Sequence, residues 1–161
     1  VYDENGKAQI VHDQKLEVLD QLIEEANGQP VLVFYNYKHE LDRLQARYPQ
    51  AVHVKEENVV KRWNAKEIPI LLANPASAGH GLNLQFGGHI AIWYSPTWNL
   101  EFFQQANKRL HRRGQAETVL IHTLMAKGTI DARIYDIVLR DKEAGQNALL
   151  EAVKARIKEV T

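Results

Sequence analysis

Apolar residues along this chain alternate between two periods. From Lys15 onward, Leu16, Leu19, Leu22, Ile23 and Ala26 recur at helical spacing, and Asn27-Gly28 supplies a C-terminal stop. Val31 to Tyr35 is an unbroken apolar run, the mark of a strand covered on both faces. Leu41 and Leu44 predict a short helix that ends by Tyr48-Pro49, because proline disfavours helical backbone in the residue before it. The cycle then repeats. Val52 to Val54 reads as a short strand, Glu56 to Trp63 as a short helix, and Ile68 to Ala73 as a strand with Pro69 near its start. A loop of small residues from Asn74 to Asn83 leads to a strand over His89 to Tyr94. Asn99 can cap a helix running to about Arg113. Thr118 to Leu124 is rich in strand formers, and Thr129 to Leu139 carries a helical stripe of Ile130, Ile134, Ile137 and Val138. Leu149, Val153, Ile157 and Val160 predict a last amphipathic helix from Ala144 to Val160.

Strands alternating with amphipathic helices imply an α/β fold, with a mostly parallel sheet of five or six strands flanked by helices. The expected division is a polar lead-in over 1–14, a main lobe over 15–140 and the C-terminal helix over 141–161. In such sheets ligands gather beyond the C-terminal ends of the strands, which singles out the loops after Tyr35, Ala73, Tyr94 and Leu124.

Composition narrows the chemistry. The 161 residues suit one core, and 45% hydrophobic with 25% charged residues is the balance of a globular protein. No apolar run approaches the ~18 residues that cross a bilayer, so no membrane partner is expected. The absence of cysteine excludes disulfides and thiolate metal sites, and the seven histidines lack ligand spacing, so no metal ligands are predicted. Net charge is zero, from 20 basic and 20 acidic residues, which argues against a domain held on nucleic acid by charge alone. A local basic patch remains, densest at Lys108, Arg109, His111, Arg112 and Arg113.

That patch carries the candidate chemistry. On a helix, Gln105, Arg109 and Arg112 would fall within an arc of about 60°, while Phe102, Phe103, Ala106 and Leu110 occupy a separate arc of about 100° that can anchor the helix. One face would then present an amide and two permanently charged guanidiniums, which fork onto phosphate oxygens. A plain solvated basic face is the competing reading.

The string Gln105-Ala106-x-x-Arg109-x-His111-Arg112-x-Gly114-Gln115 resembles the sixth conserved motif of the Swi/Snf-like group of superfamily-two helicases. Val31-Leu-Val-Phe-Tyr-Asn36 is similar to the fourth motif and Ser77-Ala-Gly79-His-Gly81-Leu-Asn83-Leu84 to the fifth. Trp98-Asn99 resembles the Trp-Asn pair after the next strand, and Lys127-Gly128-Thr129-Ile130-Asp131 the stretch that opens a late helix. The likeness runs from about Lys15 to Arg140 and looks closest to phage-encoded members. Two departures stand out. The stretch between Tyr48 and Ile68 is shorter than usual. There is also no Gly-x-x-x-x-Gly-Lys-Ser/Thr loop for phosphate and no Asp-Glu pair closing a strand to hold magnesium.

The resemblance implies a RecA-like three-layer sandwich acting as the C-terminal lobe of an ATP-dependent DNA helicase or translocase. ATP and Mg2+ would be bound mainly by an N-terminal lobe of the same protein, and this lobe alone would be inactive. Arg112 would be the principal arginine finger and Arg109 its partner, with Gln105 holding the interface and Gly81 and Asn83 on the nucleotide side. DNA, as duplex backbone, would meet Asn36, Lys38, Ser77, Gly79 and Trp98. Each of these has a plainer role open to it: Asn36 and Lys38 as loop residues, Gly79 and Gly81 as turn formers, Trp98 as core. The corresponding location is the cytoplasm of a bacterial or phage-infected host. A non-catalytic nucleic-acid-binding or regulatory module with the same fold is the alternative. A free-standing enzyme on a small nucleotide is disfavoured, since no phosphate-binding glycine fingerprint follows the first strand.

Overall fold

The structure, a computed structural model, describes residues 2–78, 82–126 and 154–160. In chain order the elements are α1 (Tyr2–Glu25), β1 (Val31–Phe34), α2 (Lys38–Arg47), β2 (Val52–His53), α3 (Val59–Asn64), β3 (Ile70–Ala73), α4 (Pro75–Ala78), β4 (Ile90–Trp93), α5 (Leu100–Asn107), β5 (Leu120–Ala126) and β6 (Lys154–Val160). The six strands form one sheet in the order β2-β3-β1-β4-β5-β6, and every described pairing is parallel.

Alternation along the strands explains the layering. Leu32 and Phe34 of β1, Leu71 and Ala73 of β3, and Ala91 and Trp93 of β4 face one side, where α3 and α5 bring Val59, Trp63, Phe103 and Ala106. Val31, Val33, Ile70, Leu72, Ile90 and Ile92 face the other, against Leu16, Leu19 and Leu22 of α1 and Leu44 of α2. A strand apolar at every position is therefore covered on both sides. Because β1 lies between β3 and β4, the chain turns from one half of the sheet to the other there, and the crevice beyond those strand ends is the expected ligand position.

Two expectations need correction. Residues 2–14, expected as a polar lead-in, are helical and continue into the predicted helix as part of α1. Polar residues do not prevent a helix, and Gly6 is the weakest helix former in this stretch. At the other end, Lys154–Val160 is a strand where a helix is predicted. The sequence there satisfies both periods: Ile157 and Val160 fit a helical stripe, while Ala155 and Ile157 alternate with Lys154, Arg156 and Lys158. Pairing along the whole length of β5 decides it. The predicted helix over Thr129 to Leu139 and the Lys127-Gly128-Thr129 stretch lie outside the described residues.

Helix α1 is tied to the sheet through a histidine. His12 Nδ1 lies 3.1 Å from the Tyr94 hydroxyl, its ring is stacked on Tyr94, and His39 of α2 meets it edge-on. Burial first, then Arg43, Lys15 and His39, pull His12 down to about 4, with only Asp13 opposing. The fold thus holds a neutral imidazole against an unfolded value of 6.5. The resulting stability is fully present above pH 6.5 and is lost as pH falls towards 4. Thermal melts of the wild type are expected to lose midpoint across this window more steeply than those of His12→Gln. Superimposable curves would show that the imidazole is not held neutral.

Candidate functional site

Beyond the C-terminal ends of β1, β3 and β4 lies an open cleft of about 270 Å³, lined by Asn36, Tyr37, Asn74, Pro75, Thr97 and Trp98 among others. Its walls are cross-braced. Glu40, buried at the start of α2, accepts from Asn36 N at 2.9 Å, Tyr37 N at 3.2 Å and Ser95 Oγ at 2.9 Å. The Asn36 amide donates to the Ser95 carbonyl at 2.9 Å and the Pro96 carbonyl at 3.0 Å, and Asn74 Nδ2 donates to the Asn36 carbonyl at 3.4 Å. Asn36 therefore holds two strand ends together. Trp98, which the sequence leaves open between core and ligand contact, is 46% exposed at the cleft wall. Lys38 is exposed at the first turn of α2 and pairs with Asp42 at 3.4 Å. Ser77 is half-buried on α4, which packs against α5. Gly79 and Gly81 lie outside the described residues.

The basic cluster lies elsewhere. Asn99 caps α5 as predicted, its side chain accepting from Phe102 N at 3.0 Å. The helix stops at Asn107, however, and does not run to Arg113, so Gln105, Arg109 and Arg112 do not share one helical face. At that end the Asn107 side chain turns inward to accept from Trp93 Nε1 at 2.9 Å, and its carbonyl accepts from both Leu110 N and His111 N. The chain then tightens to bury Leu110, and Gly114, at φ 96, redirects it. Gln105 remains on the helix, donating to Glu101 at 3.0 Å. The five basic residues follow the helix end, where backbone carbonyls favour cations.

This turn is stitched to the loop before β4. Leu84 N donates to the Arg109 carbonyl at 3.2 Å, Gln85 Nε2 to the Arg113 carbonyl at 3.2 Å, and Gln115 Nε2 to the Gly88 carbonyl at 2.9 Å. Asn83 is exposed in the same loop, one residue from the bond to Arg109. Arg112 is exposed and Arg109 half-buried. Burial, and then the Arg112 guanidinium, lower the Arg109 pKa from its ordinary value. Asn83, Arg109 and Arg112 thus gather at one seam, at the start of β4, while Asn36, Lys38 and Trp98 gather at the opposite end of the sheet.

Residues 14–114 match the family described as the helicase conserved C-terminal domain. The chain belongs to that family. Among its relatives, a putative protein p41 from Acyrthosiphon pisum secondary endosymbiont phage 1 is 39% identical over 96% of this chain and 35% of its own length. The chromatin-remodeling ATPase INO80 of Mycosarcoma maydis is 31% identical over 94% of this chain and 9% of its own. An uncharacterized ATP-dependent helicase of Mycoplasma genitalium, MG018, is 30% identical over 93% and 14%. The chain therefore spans about a third of the phage relative and about a tenth of the remodeling ATPase. In structure it is similar to the C-terminal part of the Fun30 ATPase domain, with a TM-score of 0.68 and 24% identity over 77% of this chain and 44% of that one. These relatives make the helicase C-terminal domain a Swi/Snf-like one, and the sheet order and layers are those of a RecA-like lobe.

In this helicase C-terminal domain, two residues that hold the sites in place went unread in the sequence. Glu40 is not singled out by any pattern in the sequence, yet it braces the cleft. Trp63 lies in the short stretch between Tyr48 and Ile68, buried completely, and its Nε1 donates to the Leu84 carbonyl at 2.8 Å. It supports the loop to which the arginine turn is bound. The period of apolar residues signals burial at Trp63 but not the indole's long-range partner. No helix among the described residues is long and apolar enough to cross a membrane.

Proposed function

We propose that this lobe is the second half of an ATP-driven DNA translocase. ATP and Mg2+ sit mainly on an N-terminal lobe, and the seam of Asn83, Arg109 and Arg112 closes over the phosphates, with Gln105 steadying the lobe interface. The observation that carries this reading is the half-buried Arg109 beside the exposed Arg112, on a turn that the Arg109 and Arg113 carbonyls tie to the loop before β4. A prepositioned cationic pair of this kind stabilises charge on a transferring phosphoryl group without reorganising.

The cleft at the strand ends meets the DNA backbone. Lys38 and Ser77 supply polar and charged contacts, Trp98 presents a half-exposed ring, and Asn36 acts mainly by bracing the cleft wall. Gly79 and Gly81 belong to the same loop region in sequence. Backbone contacts of this sort position the protein without reading sequence. Cycles of closing and opening between lobes would then advance the protein along duplex DNA.

Steady-state ATP hydrolysis tests the reading. The full-length protein is expected to hydrolyse ATP only slowly alone and several-fold faster with duplex DNA, and residues 1–161 alone to show no hydrolysis. Turnover by this chain alone, or hydrolysis indifferent to DNA, would remove the assignment.

A further inference from the structure

Phe86 has the highest exposure, 56%, of the exposed large apolar side chains among the described residues. It sits in the loop before β4 and lines no part of the strand-end cleft. Its ring lies over Gly114, where an added Cβ would come 2.8 Å from Phe86 Cε1 and 3.0 Å from Cζ. The residues on either side are also held: Gln85 Nε2 donates to the Arg113 carbonyl, and Lys66 Nζ donates to the Gly87 carbonyl at 3.3 Å. Beneath the loop, Gly87 and Gly88 press directly on Trp63.

An exposed phenylalanine costs hydration and gains nothing unless something covers it. Here an exposed apolar ring stands beside the arginine turn, in the seam that carries Arg109 and Arg112. The Oε1 atom of Gln85 in the same seam is buried with no hydrogen-bond donor among the described residues, so the seam is not complete by itself. A flat ring next to paired guanidiniums matches a ligand that is aromatic at one end and polyanionic at the other.

We propose that Phe86 stacks on the base of the nucleotide whose phosphates face Arg109 and Arg112, so that this lobe contributes to base recognition as well as to charge stabilisation. The proposal rests on the nucleotide-cleft reading given above.

Phe86→Ala in the full-length protein tests it, with DNA-stimulated hydrolysis of ATP measured against inhibition by inorganic tripolyphosphate, which has no base. Stacking on one face of a base predicts a rise of about tenfold in KM for ATP. kcat is expected to stay within about twofold and the tripolyphosphate inhibition constant to stay unchanged, with Phe86→Trp restoring KM. An unchanged KM for ATP overturns the proposal. So does a KM and a tripolyphosphate constant that rise together, which would assign the ring to packing on the other lobe. If Arg112→Ala still lowers kcat while Phe86→Ala leaves KM unmoved, only the stacking fails. If both variants behave as wild type, the nucleotide-cleft reading fails with it. The ring is exposed, so loss of fold is not expected, and a thermal melt verifies this.

Discussion

Arg112→Ala in the full-length protein is expected to lower DNA-stimulated ATP hydrolysis by about 10³-fold or more, with DNA affinity changed only a few-fold. The side chain is exposed beyond the end of α5, and its backbone, not its guanidinium, holds the turn through a bond from Arg112 N to the Leu110 carbonyl at 3.2 Å. Truncation therefore leaves the core intact, and any loss reports on charge delivered to the phosphates. Arg112→Lys keeps one positive charge but not the planar fork, so an intermediate rate is expected. The residues proposed to meet DNA lie at the other end of the sheet, which is why binding should survive. Single-turnover hydrolysis with a parallel DNA-binding titration makes the measurement. Normal turnover in Arg112→Ala would end the finger assignment.

The second large effect concerns stability. Trp63 is completely buried, packs within the core beneath α3 and bonds to the Leu84 carbonyl. Replacing such a side chain by alanine typically costs about 3–5 kcal/mol, and here it also leaves the Leu84 carbonyl without its donor. Trp63→Ala is thus expected to consume a large share of the stability of a domain this size. Trp63→Phe keeps most of the volume but loses the N–H, and should cost roughly 1–2 kcal/mol. Urea unfolding of both variants separates the two contributions. A loss below 1 kcal/mol in Trp63→Ala would show that the loop before β4 does not depend on this indole. Because that loop carries the bonds to Arg109 and Arg113, Trp63→Phe should also slow hydrolysis modestly without touching DNA or nucleotide.

The parts of this fold that the sequence displays are those set by burial. Unbroken apolar runs at Val31, Ile70 and Ile90 mark strands covered on both faces, and the stripe from Leu16 to Ala26 marks the helix laid over one of them. Where a local signal competes with a distant partner, the reading fails. The helical spacing of Gln105, Arg109 and Arg112 is real, but the helix ends at Asn107, whose side chain meets Trp93 fourteen positions earlier, and the arginines follow in a turn tied to the loop before β4. At Lys154–Val160 the alternation and the helical stripe coexist in the same residues, and only pairing with β5 selects between them. The residue types of the site were visible, as a cluster of cations and a nearby tryptophan. Their separation onto opposite ends of the sheet was not, because it depends on which way α5 runs and where it stops.

The course of α5 joins those two ends. Asn99 and Phe102 line the cleft, and eight residues later the helix ends two positions before Arg109. Eight residues of helix rise about 12 Å. Phe103, Ala106 and Asn107 lock this segment to the sheet, so it behaves as a short stiff rod rather than as a hinge. On the translocase reading, DNA contact near Trp98 and phosphate contact at Arg109 would lie at either end of this one segment. Grip on the track and timing of the chemical stroke would then be two ends of one mechanical part.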